Sequence, residues 1–182
     1  MKQIKIHTDK ESVLHEKCLP VSLPLSAELR ETILSMIEYL KLSQDPEYAE
    51  KKHVRPGVGL AAPQIGVSQR FFAIYLVDGD KKYEYGLVNP VILSSSVKKA
   101  YLKNGEGCLS VPEDVPGHVY RYFRITIQGY DVVSDQTVTL KLVGYPAIVF
   151  QHEYDHLDGV LYYERIDPED PFKEDPEAVA IE

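Results

Sequence analysis

"YRYFRITIQGYDVVSDQTVTLKLVGYPAIVFQHEYDHLDG" occupies residues 120–159. Ile125 and Ile127 alternate with polar neighbours, as do Val138, Leu140 and Leu142, and "VVSDQ" lies between the two runs. That pattern predicts two antiparallel strands joined as a hairpin. The remainder, "YPAIVFQHEYDHLDG", predicts a helix with Pro146 in its first turn and Gly159 as its stop. Upstream, "RFFAIYLV", "YGLVNPVIL" and "SVKKAYL" are short, rich in β-branched and aromatic residues, and bounded by turn formers, so they also read as strands. Further back, "SAELRETILSMIEYLKL" (residues 26–42) places Leu29, Ile33, Met36, Ile37 and Leu40 at helical spacing behind Ser26 as N-cap. The order is helix, antiparallel strands, helix. It predicts an α+β fold: antiparallel β-sheets packed around a central helix, with an amphipathic helix near the N-terminus.

A polar connection, residues 43–57, follows the first helix and is punctuated by Pro46 and Pro56, with room for a short helical piece. His53 within it reads as a solvated loop residue. Residues 166–182 are acidic and broken by prolines, which predicts a solvated, partly disordered tail after a single catalytic domain spanning residues 1–165. A formal charge of −8 argues against binding a phosphate backbone, which needs a basic face. No signal-peptide pattern opens the chain and no run approaches membrane-spanning length, so a cytoplasmic protein without membrane or direct nucleic-acid partners is expected. In that compartment Cys18 and Cys108 are free thiols.

"QHEYDH" carries the chemistry. Residues four apart share a helix face, so the imidazoles of His152 and His156 can reach one ion. Glu153 is turned by about 100° from His152, which suits it to a water beside the ion. A solvated polar face is the bland alternative, but "AIVF" immediately before it brings the helix out of an apolar core, where unpartnered polar groups are costly. A catalytic site needs a third protein ligand. Glu164, Asp158 and Asp167 lie downstream; upstream, "NGEGCLSVP" offers Cys108. Cys18, with no polar cluster around it, reads as a small buried hydrophobe. "RPGVGLAAPQIG" (residues 55–66) lacks the Lys-Ser/Thr of a phosphate loop, and reads as backbone that approaches a strand-like peptide closely, with Gln64 offering an N–H.

"GVGLAAPQ", "EGCLS" and "QHEYDH", in this order and at these separations, resemble the three signature motifs of bacterial peptide deformylase. The polar insertion ahead of the first motif is similar to that of the Gram-positive subclass. The resemblance implies Cys108, His152 and His156 as metal ligands, with Fe(2+) in the cell and Zn, Ni or Co able to replace it. It implies Glu153 as the group that takes a proton from water and returns it to the departing amine. The Gln64 amide and the Leu109 backbone N–H would meet the developing oxyanion. Val58, Leu109, Tyr145, Ile148 and Val149 would line the methionine pocket, and Gly59 and Gly107 would let the peptide backbone pair. Glu106 would have a supporting role. The implied substrates are N-formylmethionyl nascent peptides, met near the ribosome. Some relatives dock there through a basic C-terminal helix, which this acidic tail does not match. A metallopeptidase using the same histidine pair, with a Glu or His as third ligand, is the alternative enzyme. A non-catalytic binding module would be expected to lack Glu153 or Gln64, and this chain has both.

Overall fold

The computed structural model describes all 182 residues. The first helix, α1 (Ala27–Ser43), begins where Ser26 Oγ accepts a hydrogen bond from Leu29 N at 3.1 Å. This caps one of the free N–H groups of the first turn. Its inward face is Ile33, Met36, Ile37 and Leu40, all buried; Leu29, at the first turn, is only partly so. The expected helical piece of the insertion is α2 (Pro46–Lys52), capped by the Asp45 carboxylate.

Three strands follow: β1 (Gly59–Ala61), β2 (Phe71–Asp78) and β3 (Lys81–Ser95). β4 (Lys99–Leu102) and β5 (Arg121–Tyr122) frame a long irregular segment, and β6 (Arg124–Asp131) and β7 (Gln136–Val143) form the hairpin read from the sequence. Then comes α3 (Tyr145–Leu157), with Pro146 in its first turn. Gly159, at φ 72°, reverses the chain just beyond it, and a Cβ there would lie 2.6 Å from the His15 carbonyl carbon. Only glycine satisfies both the left-handed backbone and the close approach.

One sheet runs β1-β2-β3-β6-β7, antiparallel throughout. Its alternating side chains divide the core in two. Phe71 and Ala73 pack with Ile33, Met36 and Leu40 of α1, whereas Phe72, Ile74 and Leu76 pack with Ala147, Phe150 and Leu157 of α3. The sheet is therefore covered by α1 on one face and α3 on the other, and α3 is buried without a break from Pro146 to Gln151. Within β3 the register shifts between Val88 and Val91, where Asn89 takes φ 50° and precedes Pro90. The bulge accommodates a proline that a regular inner strand would exclude. The Asn89 side chain bonds both backbone groups of Val21.

The tail departs from expectation. Residues 179–181 form β8 (Val179–Ile181), which pairs parallel with β4 and completes a second sheet, β5-β4-β8. The hydroxyl of Tyr120 anchors the approach, donating to the Lys173 carbonyl at 2.5 Å and accepting from Asp175 N at 3.0 Å. Acidic side chains and prolines keep the surface of this segment solvated, but "AVAI" supplies apolar, strand-forming residues to an open sheet edge. No helix of the chain is long and apolar enough to cross a membrane.

Candidate active site and metal centre

α3 carries His152 and Glu153 from the enclosed core to the floor of a cleft of about 270 Å³, with the buried His156 one turn further on. Against it comes the irregular segment after β4, which delivers Cys108. The ligand atoms of Cys108, His152 and His156 all lie within 4.8 Å of one another. Cys108 Sγ stands 3.4 Å from His156 Nε2. Two donors on one tetrahedral ion, at about 2.3 Å from sulfur and about 2.0–2.1 Å from nitrogen, are separated by about 3.5 Å. The thiolate-and-two-imidazole set therefore fits a divalent cation. Glu164, Asp158 and Asp167, the downstream alternatives, take no part: Glu164 caps Leu161 N, Asp158 pairs with Arg70, and Asp167 caps its own turn.

The orientation of His152 is set from behind. Its Nδ1 donates to Glu106 Oε1 at 2.8 Å, leaving Nε2 toward the site, and the ring stacks at 21° on Tyr162. Such carboxylate–histidine pairing fixes both tautomer and ring direction. Glu106 is in turn held by Arg121, whose Nε and Nη2 donate at 2.7 and 2.9 Å. Arg121 Nη1 reaches Asp155 Oδ2 at 2.9 Å, and Arg165 grips the same Asp155 carboxylate through two bonds of 2.6 and 2.8 Å. Burial pushes the Glu106 carboxyl up, but the Arg121 guanidinium and the His152 hydrogen bond outweigh it and hold it at about 2. Glu106 is an anion under all ordinary conditions. The sequence suggested a supporting role for Glu106 but gave no sign of Arg121, Arg165 or Tyr162. Arg121 is one of two arginines in the strand-like "YRYFRI", with nothing there to set it apart from Arg124.

Glu153 is 4% exposed, and its Oε2 has no protein hydrogen-bond partner. Burial raises its carboxyl to about 7, against the opposing pull of His152 and Arg121. Burial also drives His156 well below the usual histidine range, while for His152 the neighbouring Cys108 sulfur and the Glu106 carboxylate outweigh burial and raise it. Gln64, 1% exposed, sits in the one-turn helical segment after β1. Its Oε1 accepts from Ala61 N at 2.8 Å, which fixes the amide so that Nε2 points at Ser110 Oγ (3.1 Å) and Cys108 Sγ (3.5 Å). The Leu109 backbone N–H donates to no protein group. Val58, Gly59, Gly107, Leu109, Tyr145, Ile148 and Val149 all line the cleft, as do Gln64, Cys108, His152 and Glu153. His156 lies behind this lining. Arg55, Pro56, Gly57 and Leu102 line it too and were not singled out from the sequence.

The family model for polypeptide deformylase matches residues 3–172. Peptide deformylase 2 of Bacillus subtilis (strain 168) is 50% identical over 175 residues, 96% of this chain and 95% of its own length. Peptide deformylase 2 of Geobacillus stearothermophilus is 53% identical over 163 residues, 89% and 88% of the two chains. Among solved structures, the peptide deformylase from Thermotoga maritima superposes with a TM-score of 0.71 at 36% identity, covering 92% of this chain and all (100%) of that one. The peptide deformylase from Synechococcus elongatus, in complex with actinonin, gives 0.72 at 30% identity over 90% and 79%. The chain belongs to the peptide deformylase family, metalloenzymes whose known reaction removes the formyl group from N-formylmethionyl peptides.

Proposed function

We propose that Cys108, His152 and His156 hold one divalent cation, ferrous iron in the cell, and that Glu153, Gln64 and Leu109 carry the hydrolysis. The observation that supports this most is the convergence of one thiol and two imidazoles within 4.8 Å, with Cys108 and His152 lining the same cleft as Glu153 and Gln64. A cation bound there would acidify water and polarise the formyl oxygen. Zinc, nickel or cobalt suits the same donors. Glu153, buried and unpaired at Oε2, takes the proton of the attacking water and returns it to the nitrogen of the departing amine. Gln64 Nε2 and the free Leu109 N–H meet the charge that develops on the formyl oxygen. Losing one such donor typically costs about 10²–10³ in rate.

The methionine side chain occupies the apolar part of the cleft, between Val58, Leu109, Tyr145, Ile148 and Val149. Its burial is worth about 1.5–3 kcal/mol. Gly59 and Gly107 let the peptide backbone come close on either side. The catalytic unit in this reading is residues 1–165, and residues 166–182 are an acidic tail whose end, β8, pairs along the edge of β4. The enzyme works in the cytoplasm on chains emerging near the ribosome.

The test is formate release from formyl-Met-Ala-Ser under anaerobic conditions, wild type beside Glu153→Ala, with casein cleavage and an acetyl-Met peptide as controls. Formate release by the wild type alone, with metal retained in the variant and no casein cleavage, is expected. Casein cleavage without formate would favour the metallopeptidase instead, and unchanged turnover in Glu153→Ala would remove that residue from the reaction.

A further inference from the structure

The segment that carries Cys108 and Leu109, residues 103–120, has no strand or helix of its own, so side-chain anchors must hold it. Several anchors lie on the interior side: Glu106, held by Arg121 and bonded to His152; Ser110, bonded through its carbonyl to Asp9 N and through its hydroxyl to Gln64; Val115, whose N–H donates to Tyr162; and His118, whose N–H donates to the Pro171 carbonyl. One more comes from the opposite wall of the cleft. Arg55 Nη1 donates to the Val111 carbonyl at 2.8 Å and lies 3.4 Å from the Cys108 carbonyl, while Nη2 meets Asp114 Oδ1 at 2.7 Å.

The wall that Arg55 belongs to is itself rigid. Two residues on, Gly57 donates its N–H to Ser43 Oγ (3.1 Å) and accepts at its carbonyl from Gln44 Nε2 (2.9 Å), so the end of α1 grips both of its backbone groups. The two walls also touch: a Cβ on Gly57 would lie 2.7 Å from Leu109 Cδ1. One guanidinium thus bridges a fixed wall and an irregular one where they meet.

We propose that Arg55 is a positioning residue for deformylation. Through its fork of hydrogen bonds it holds the Cys108–Leu109 turn against the Gly57–Gly59 wall, setting the place of the Cys108 sulfur and the Leu109 N–H. This rests on the reading of those two groups as metal ligand and oxyanion donor. Arg55 and Asp114 have side chains 44% and 62% exposed, and an exposed ion pair contributes little by itself. The weight falls on the bonds to the loop carbonyls, which a planar fork can combine with a carboxylate contact and an ammonium cannot reproduce.

The experiment compares wild type, Arg55→Ala, Arg55→Lys and Arg55→Ala/Asp114→Ala in three ways. These are kcat and KM on formyl-Met-Ala-Ser, thermal midpoint, and the rate at which iodoacetamide alkylates Cys108 in metal-free protein, read by peptide mapping to separate it from Cys18. In Arg55→Ala, kcat should fall roughly 10- to 100-fold, the range a displacement of about an ångström produces. KM should move less, and Cys108 should alkylate several-fold faster. The double variant should be no worse than the single one, and lysine should rescue only partly. Wild-type kcat and alkylation rate in Arg55→Ala would overturn the proposal, as would full rescue by lysine or a loss confined to KM. Should Arg55→Ala fail to fold, the lysine variant alone decides, by its kcat and its Cys108 alkylation rate. A wild type that releases no formate would instead overturn the functional reading, while the metal-free alkylation rates would still report on the anchor.

Discussion

A methyl group added at Gly59 would strike the side chain proposed to move the proton. Gly59 lies in β1 with ordinary extended backbone, so alanine strains no dihedral angle there; the obstacle is space. An ideal Cβ at this position falls 2.5 Å from Glu153 Oε1 and 2.7 Å from both Cδ and Cγ, where ordinary contact begins at 3.4 Å. Glu153 would have to retreat by about 0.9 Å, the gap between those two distances. It is 4% exposed and rises from a helix packed against the sheet, so retreat means a changed rotamer or a shifted backbone. Misplacing a reacting group by about an ångström costs on the order of 10²-fold in rate, and overpacking a buried site costs about 1–3 kcal/mol in stability. Gly59→Ala should therefore show kcat on formyl-Met-Ala-Ser reduced roughly 100-fold, a metal content equal to wild type, and a modest loss in urea denaturation. Wild-type kcat in a folded, metal-loaded Gly59→Ala protein would refute the reasoning, because it would mean the carboxylate need not stand where the structure has it.

Two further substitutions probe the support behind His152. Glu106→Gln keeps the shape of the side chain but removes the charge that orients the ring, so metal affinity measured by competition with a chelator should fall roughly 10- to 100-fold; unchanged affinity would separate Glu106 from the metal site. Arg121→Met leaves Glu106 as a buried carboxylate without its cation, while Asp155 keeps Arg165. It should cost about 3–5 kcal/mol in urea denaturation, and a loss below about 1 kcal/mol would show that the buried network contributes little to stability.

Local pattern was enough for the hairpin and for the helix that carries His152, Glu153 and His156. Ile125 and Ile127 against Val138, Leu140 and Leu142 alternate cleanly, and the hairpin forms in that register. The helix from Tyr145 carries its own start and stop in Pro146 and Gly159. What local pattern could not supply were pairings set by tertiary approach. Arg121 is separated from Asp155 by 34 residues and from Glu106 by 15, and nothing around "YRYFRI" marks it as 4% exposed. Arg55 meets its loop carbonyls across more than fifty residues. The tail misled because composition governs solvation, and its acidic residues are indeed mostly exposed. Strand formation there depends on an open edge of β4, a feature of another part of the fold. The three motifs, by contrast, were legible because each is a short run of distinctive residue types: a cysteine between Gly107 and Leu109, a histidine pair four apart, and glycines where walls meet.

Whether Cys108, His152 and His156 share one ion can be read by X-ray absorption at the zinc edge of the zinc-loaded protein. One sulfur scatterer at about 2.3 Å and two imidazole nitrogens at about 2.0–2.1 Å are expected, with the sulfur lost in Cys108→Ser. A first shell of nitrogen and oxygen alone in the wild type, or a sulfur that survives Cys108→Ser, would contradict that ligand set.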